Sequence, residues 1–447
     1  MSELLALAEK VVAWSRPGEQ VEAYLSRATD TEIHVYQGEV ESMSSAASAG
    51  AGVRVVSDGR QGFAYVGSLD EGAMAEALQE ARDNASFASP EPWVGLAEPD
   101  KTLPAELDLW REELACLRTE HKVATAIDLE RQVRGLDHRI TQVEWSRWGD
   151  VSSETAVASS LGVRASERAT ACYLSVAAVA SDGSGSKQGH GSTCGRSATD
   201  LDPSAAASEA VHRAVRLLGA GKPRSAHVPV VFEPRVTAQL LSLVASALSG
   251  ERVLKGTSLF ADRLGEQVAS TGITLVDDPT NAQAWGASAW DDEGLAGRRN
   301  LMIEDGVLRS YLYDTTAARR AGTSSTANAI RAGYKSVPSV GARAVCLVPG
   351  ALSPLEVMAE VGDGLLVQSL SGVHSGVNPV SGDFSVGAEG LLVQGGAPGA
   401  PVREVTIASN LQRMLQGVVA VGSDLEWRPS SAAGLTLAIS EMSMSGV

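Results

Sequence analysis

Apolar residues recur every three or four positions from Leu4 to Trp14, the stripe of an amphipathic helix, and Pro17-Gly18 ends it. The period then falls to two. "EIHVYQGEV" and "GAGVRVVSDGRQGFAYVG" alternate as strands do, and Asp58-Gly59 inside the second run marks a hairpin. "DEGAMAEALQEARDNAS" returns to a helical pattern rich in Ala and Glu. A Pro-rich connector, "SPEPWVGLAEPDKTLP", closes this first α+β block, and the stretch "LDLWREELACLRTEHKVATAIDLERQV" reads as a long helix after it. Strands follow at "ITQVEWSRWGD", "ETAVASSLGVRAS" and "ATACYLSVAAVAS"; the loop "DGSGSKQGHGSTCG" and the helix "PSAAASEAVHRAVRLLGAG" complete a second block.

From Val228 onward short strands alternate with Gly, Pro and Asp turns, which predicts a closed or barrel-like antiparallel sheet. Only "VTAQLLSLVASALSG" and "NLQRMLQGVVAVG" look helical there. The fold class is therefore α+β, with N-terminal and middle α/β blocks of antiparallel strands and a β-rich C-terminal domain. The expected domains are residues 1–95, 105–222 and 228–447. A faint echo links "SAASAGAGVRV" from Ser45 with "TAVASSLGVRA" from Thr155, as a duplicated element would.

Composition narrows the function classes. A chain of 447 residues exceeds one ordinary core. With 54 acidic and 37 basic residues its net charge is −17, and no basic run is present, so nucleic acid is a poor partner. Cys116, Cys172, Cys194 and Cys346 stand far apart with no C-x-x-C, as reduced thiols of a cytoplasmic protein would. No apolar run reaches the roughly 18 residues of a membrane span, so no membrane is expected as a partner.

Standard catalytic signatures are missing. There is no P-loop, no dinucleotide fingerprint and no G-x-S-x-G elbow. "GHGSTCG" gathers His190, Ser192 and Cys194, but a mobile polar loop explains them better than a nucleophile with its base. No two of the seven histidines lie three to five residues apart, so no local metal site is encoded. "WDDEG" at 290–294 and "VDDPT" at 276–280 read as turns, because Asp before Gly or Pro bonds nearby backbone N–H groups. "GVHSGVNPVSGDFSVGAEG" is richer. Its glycines, Asn-Pro and Phe-x-Val pair suit a sharp loop feeding a half-buried strand. His374, Ser375, Asn378, Ser381 and Asp383 remain as candidates for binding a peptide or a partner, with a hydrogen-bonded turn as the competing reading.

That segment, with "PVREVTIASNLQRMLQGVVAVGSDLEW", strongly resembles the C-terminal domain of the TldD/PmbA family, and most of all its PmbA (TldE) branch. "SLFADRLGEQVASTGITLVDDPT", "DDEGLAGRRNLMIEDGVLRSYLYDT" and the N-terminal "TEIHVYQGEVESMSSAASAGAGVRVVSDGRQGFAYVG" extend the resemblance over nearly the whole chain. It implies a cytosolic zinc metallopeptidase built from TldD-like and TldE-like subunits, the former carrying a His-Glu-x-x-x-His helix. On that alignment Ser242, Leu243 and Ala247 stand where the two histidines and the glutamate would be. Leu and Ala cannot ligate zinc and a serine hydroxyl is a weak ligand, so no metal and no catalytic residue are assigned to this chain. The resemblance implies a non-catalytic subunit acting on unfolded peptides, with zinc on a TldD-like partner. Alternatives are a binding or chaperone-like homodimer, a protease subunit maturing a natural-product peptide, and a self-sufficient hydrolase using Ser375 or Cys346.

Overall fold

The computed structural model describes residues 2–183 and 185–446. Helix α1 (Glu3–Ala13) precedes strands β1 (Gln20–Tyr36), β2 (Glu39–Ser57) and β3 (Arg60–Val66), and α2 (Glu71–Phe87) follows them. The short α3 (Glu112–Ala115) and α4 (Thr119–Leu136) lead into β4 (Ile140–Ser159), β5 (Arg164–Ser181), β6 (Ser186–Gly195) and α5 (Pro203–Val215). These six strands form one antiparallel sheet in the order β3-β2-β1-β4-β5-β6, its two halves joined where β1 pairs with β4, Leu25 opposite Ala156. Asp58-Gly59 forms the expected two-residue turn, both residues at positive φ and Ser57 opposite Arg60.

Each half reads helix, three strands, helix, and the two halves meet about the β1–β4 pair. The duplication lies in this order of elements, and the echoed segments do not superpose on it. Residues 45–55 run inside β2, whereas 155–165 cross the turn between β4 and β5. The physical match is between the third strands. A Cβ on Gly62 of β3 would lie 1.9 Å from the Ala81 carbonyl oxygen of α2. One on Gly191 of β6 would lie 1.9 Å from that of Ala206 in α5. Glycine opposite alanine lets each helix sit against its strand.

Three expectations change. The loop expected over 182–195 is the edge strand β6 from Ser186, because its alternation of small and polar residues fits a strand packed on both faces; Ser184 lies outside the described residues. The long helix begins at Thr119, since residues before Glu112 run extended across β5, where Leu109 accepts from the Thr170 N–H. "NLQRMLQGVVAVG" gives only the helix Leu411–Gln416 before it turns into a strand of β-branched residues.

Odd-numbered residues of β1 (Val21, Ala23, Leu25, Ile33, Val35) face the helices. The opposite face, from Tyr24 and Val157, packs on the C-terminal unit through Leu295 and Ala327. That unit begins with β7 (Ala226–Phe232), α6 (Pro234–Ala247) and α7 (Gly250–Leu254). Small sheets follow: β8 (Leu275–Asp277), β9 (Asn300–Glu304), β10 (Val307–Leu308), then α8 (Thr315–Ala321), β11 (Ala329–Ile330), β12 (Ser339–Val340) and β13 (Val345–Leu347). After α9 (Pro354–Val361) come β14 (Gly364–Ser371), α10 (Val373–Gly376), β15 (Asp383–Gln394), β16 (Ala397–Asn410), α11 (Leu411–Gln416), β17 (Val418–Val421) and β18 (Leu437–Ser445). Strands β16, β15, β14, β7 and β18 pair in that order, and β16 returns to β18, Ile407 opposite Met444, closing a five-stranded barrel. The parallel β7–β14 pair makes the barrel mixed rather than wholly antiparallel.

Charged groups are buried where sheet and barrel unit meet. Arg54 of β2 donates to Glu22 of β1 at 2.6 Å and to Glu293 of the C-terminal unit at 3.2 Å, all three side chains at most 2% exposed. Arg331 pairs with Glu22 as well, while Arg343 holds Asp292 at 2.7 Å. Burial raises the Glu22 carboxyl, but Arg54 and Arg331 overcome it and hold the group below its usual range. Asp291 is the opposite case. Its Oδ1 accepts from the Glu293 and Leu295 N–H groups, as a turn-forming Asp should. Burial and the neighbouring Glu293 nevertheless push it up to about 8, and Asp314 is pushed to about 6 by burial and Glu293.

Two outcomes follow. Arg54→Ala leaves Glu22 and Glu293 without their shared cation and is expected to cost about 3–5 kcal/mol of stability in denaturant titrations. A carboxyl that holds its proton more tightly folded than unfolded makes folding take up a proton. Asp291 and Asp314 therefore subtract stability as pH rises from their unfolded range near ~4. For Asp291 the loss runs up to about 8. Urea unfolding across that window is expected to show the decline, and Asp291→Asn to flatten its upper part.

Candidate functional site

Helix α6 starts with Pro234 at its first turn, where a missing N–H costs nothing. Val236, Leu240, Leu241 and Val244 follow at helical spacing and bury one stripe in the barrel-side core beside Phe232, Val367 and Phe384. The outward stripe is Gln239, Leu243 and Ser246. It forms one wall of a groove of about 660 Å³, and the loop after β14 forms the other with Val373, His374, Val377 and Pro379. Leu259, Leu370 and Leu411 complete an apolar lining, and Arg252 of α7 stands in it as well. The stretch singled out by its glycines and the helix singled out by resemblance thus share one cavity.

The five candidate residues divide. Asn378 Oδ1 accepts from the N–H groups of Val380 (2.9 Å) and Ser381 (3.1 Å). Ser381 Oγ donates to Asp383 at 2.7 Å, and Asn410 Nδ2 donates to the Ser381 carbonyl at 2.8 Å. The Ser381 bond, and then a second Asn410 Nδ2 bond to Asp383 Oδ1 at 3.4 Å, hold the Asp383 carboxyl below its ordinary value. Ser375 Oγ donates to the Gly372 carbonyl at 3.2 Å. Asn378, Ser381 and Asp383 therefore build the turn that launches β15. His374 alone of the five lines the groove, and its ring has no hydrogen-bond or ion-pair partner among the described residues.

Residues that pattern reading passed over are Gln239, Ser246 and Arg252. The signal was present: 239, 243 and 246 are the i, i+4, i+7 stripe opposite the buried one. None of these polar side chains has a protein partner among the described residues.

The groove does not suit zinc. Leu243 and Ala247 line it, while the Ser242 hydroxyl is turned back to the Ala238 carbonyl at 3.0 Å. His374 is its one residue with a good zinc donor, and no group of three His, Cys, Asp or Glu able to hold a metal occurs among the described residues. Nucleophilic arrangements are also not formed. Ser192 Oγ lies 2.9 Å from both Arg235 and Arg428, Cys194 contacts the Trp427 carbonyl, and His190 packs 5.7 Å from Trp145. Burial lowers the His190 pKa, and burial pushes the Cys346 thiol up to about 11, away from a reactive thiolate. A second cleft, about 310 Å³ between sheet and barrel unit, has its Arg196, Arg331 and Arg343 tied to protein carbonyls or carboxylates and belongs to the structural joint.

Comparison with known proteins decides the lineage. Residues 21–85, 112–218 and 225–446 match, in order, domain 1, the central domain and the C-terminal domain of the PmbA/TldA metallopeptidases. The chain belongs to the TldD/PmbA family. Within it the likeness is to PmbA/TldE proteins. It is 29% identical over 430 residues to the metalloprotease PmbA of Escherichia coli O157:H7, covering 95% of this chain and 92% of that one. The crystal structure of TldE from Thermococcus kodakarensis is similar with a TM-score of 0.90 at 27% identity, covering 99% of both chains. A TldD homologue of Haemophilus influenzae is 27% identical over 393 residues, 84% of this chain and 80% of that one.

Asn378→Ala should remove both turn acceptor bonds and lower stability by about 0.5–1.5 kcal/mol, whereas His374→Ala should stay within about 0.5 kcal/mol of the parent. Equilibrium unfolding of the two variants checks the division between turn and groove.

Proposed function

We propose that this protein is the subunit of a TldD/TldE-type zinc peptidase that does not carry the metal. It pairs with a TldD-like chain in the cytoplasm, and the pair degrades or processes unfolded peptides. The observation carrying this reading is the set of side chains at the catalytic helix positions. Ser242, Leu243 and Ala247 offer one weak oxygen donor, already engaged by the helix backbone, and two hydrocarbons. Family membership with that donor set is what a partner-dependent subunit has, and the four free cysteines agree with a reducing compartment.

Both kinds of relative, PmbA-like and TldD-like, align over most of the chain, which supports a pair built from two similarly folded subunits. An apolar groove with unpartnered polar groups supports a share in holding the peptide, which an extended chain permits through its backbone with little demand on sequence. Bond cleavage is assigned to the partner's zinc.

Co-expression with the TldD-like protein of the same genome tests the reading. Co-elution, one zinc per heterodimer and cleavage of an unstructured peptide are expected, with neither zinc nor cleavage in this chain alone. Stoichiometric zinc on the isolated chain would sink it.

A further inference from the structure

The groove between α6 and the loop after β14 combines an apolar floor with a polar rim. Its floor is hydrocarbon, from Leu243, Leu259 and Leu370. Four polar side chains nevertheless stand in it (Gln239, Ser246, Arg252 and His374), none bonded to a protein group among the described residues. Four residues beyond His374 on the same loop, every polar side chain from Asn378 to Asp383 is engaged. Gln239, Ser246 and His374 are exposed, so water satisfies them in the free chain, and Arg252 is half-buried. Together they give an apolar groove the few polar groups that orient a ligand.

Charge narrows the ligand. No carboxylate lines the groove, although the chain carries 54 acidic residues and a net charge of −17. Arg252 is its one permanent charge, and a guanidinium on an apolar wall suits a single planar anion bound by paired N–H donors. The negative field of the whole molecule opposes a polyanion such as a nucleotide or nucleic acid. One carboxylate attached to hydrocarbon meets both requirements. Gln239, with donor and acceptor in one amide, and Ser246 suit the peptide groups that precede such a carboxylate.

We infer that this groove binds the free C-terminal end of an extended peptide with apolar side chains, Arg252 taking the carboxylate and the α6 stripe taking the last residues. The inference rests on the reading of the chain as a peptide-handling subunit and names the end of the peptide it grips. The site binds and does no chemistry.

Calorimetric titration of the lone full-length chain tests it with two probes. One is an N-acetylated pentapeptide of alanine, valine and leucine with a free C-terminus, and the other is the same peptide as its C-terminal amide. The acid is expected to bind at least about tenfold more tightly than the amide, the worth of one charge-assisted contact. Arg252→Gln should equalise the two, Arg252→Lys should restore part of the preference, and Leu243→Glu should abolish binding of both. Thermal melting establishes that each variant is folded. Equal binding of acid and amide by the parent chain, a preference that survives Arg252→Gln, or no binding of either peptide would each overturn the inference. The two proposals fail separately. A zinc-loaded heterodimer whose TldE-like chain shows no preference removes only the groove assignment. A lone chain with the preference that recruits no TldD-like partner removes only the subunit assignment.

Discussion

Arg54 lies between Glu22 of the N-terminal sheet and Glu293 of the barrel unit, with almost no water beside it. Such a triad adds little net stability, because desolvating three charges consumes most of what their attraction returns. Its effect is on geometry. Any other docking of the barrel unit on the sheet would leave at least one buried charge without a partner, a penalty of several kcal/mol. Arg331, reaching from the barrel unit to Glu22 and lying 4.9 Å over the Tyr24 ring, repeats the constraint from the other side. The orientation of the two units is therefore specified by charge pairing, while the apolar contacts around Leu295 and Val157 supply the area.

Within the sheet, the same tightness is achieved without charge. The third strand of each half brings a glycine against an alanine of its covering helix, so helix and strand backbones touch. Two copies of one αβββα arrangement then share a single sheet, and its other face is left free for the barrel unit. An all-antiparallel platform with helices on one side and a second unit on the other needs no further layer to bury its apolar residues.

Helix α6 presents one face to the core and the other to a groove. The stripe Val236, Leu240, Leu241 and Val244 is locked in the core and determines where the helix lies. Leu243 lies on the outer side and turns the groove apolar, whereas Ala247 is buried with that core.

Much of this was legible in the chain. Periods of 3.6 and 2, the Asp58-Gly59 hairpin and the β-rich C-terminal half follow from residue type and short spacing. Ser242, Leu243 and Ala247, by contrast, were singled out by the family resemblance, and residue type showed only that they are poor ligands. Local chemistry also explains the turn at Asn378, whose side chain bonds to groups within three residues, while Asp383 is held both by Ser381 and by the distant Asn410. What spacing could not reveal was anything built from distant segments. That β6 is a strand depends on β5 beside it, that Glu22 and Glu293 share Arg54 depends on residues far apart meeting, and that His374, Gln239 and Arg252 line one cavity depends on α6, α7 and the loop after β14 converging. Local propensity is written in neighbouring residues. Pairing, burial and shared cavities arise only when the closed chain brings remote ones into contact.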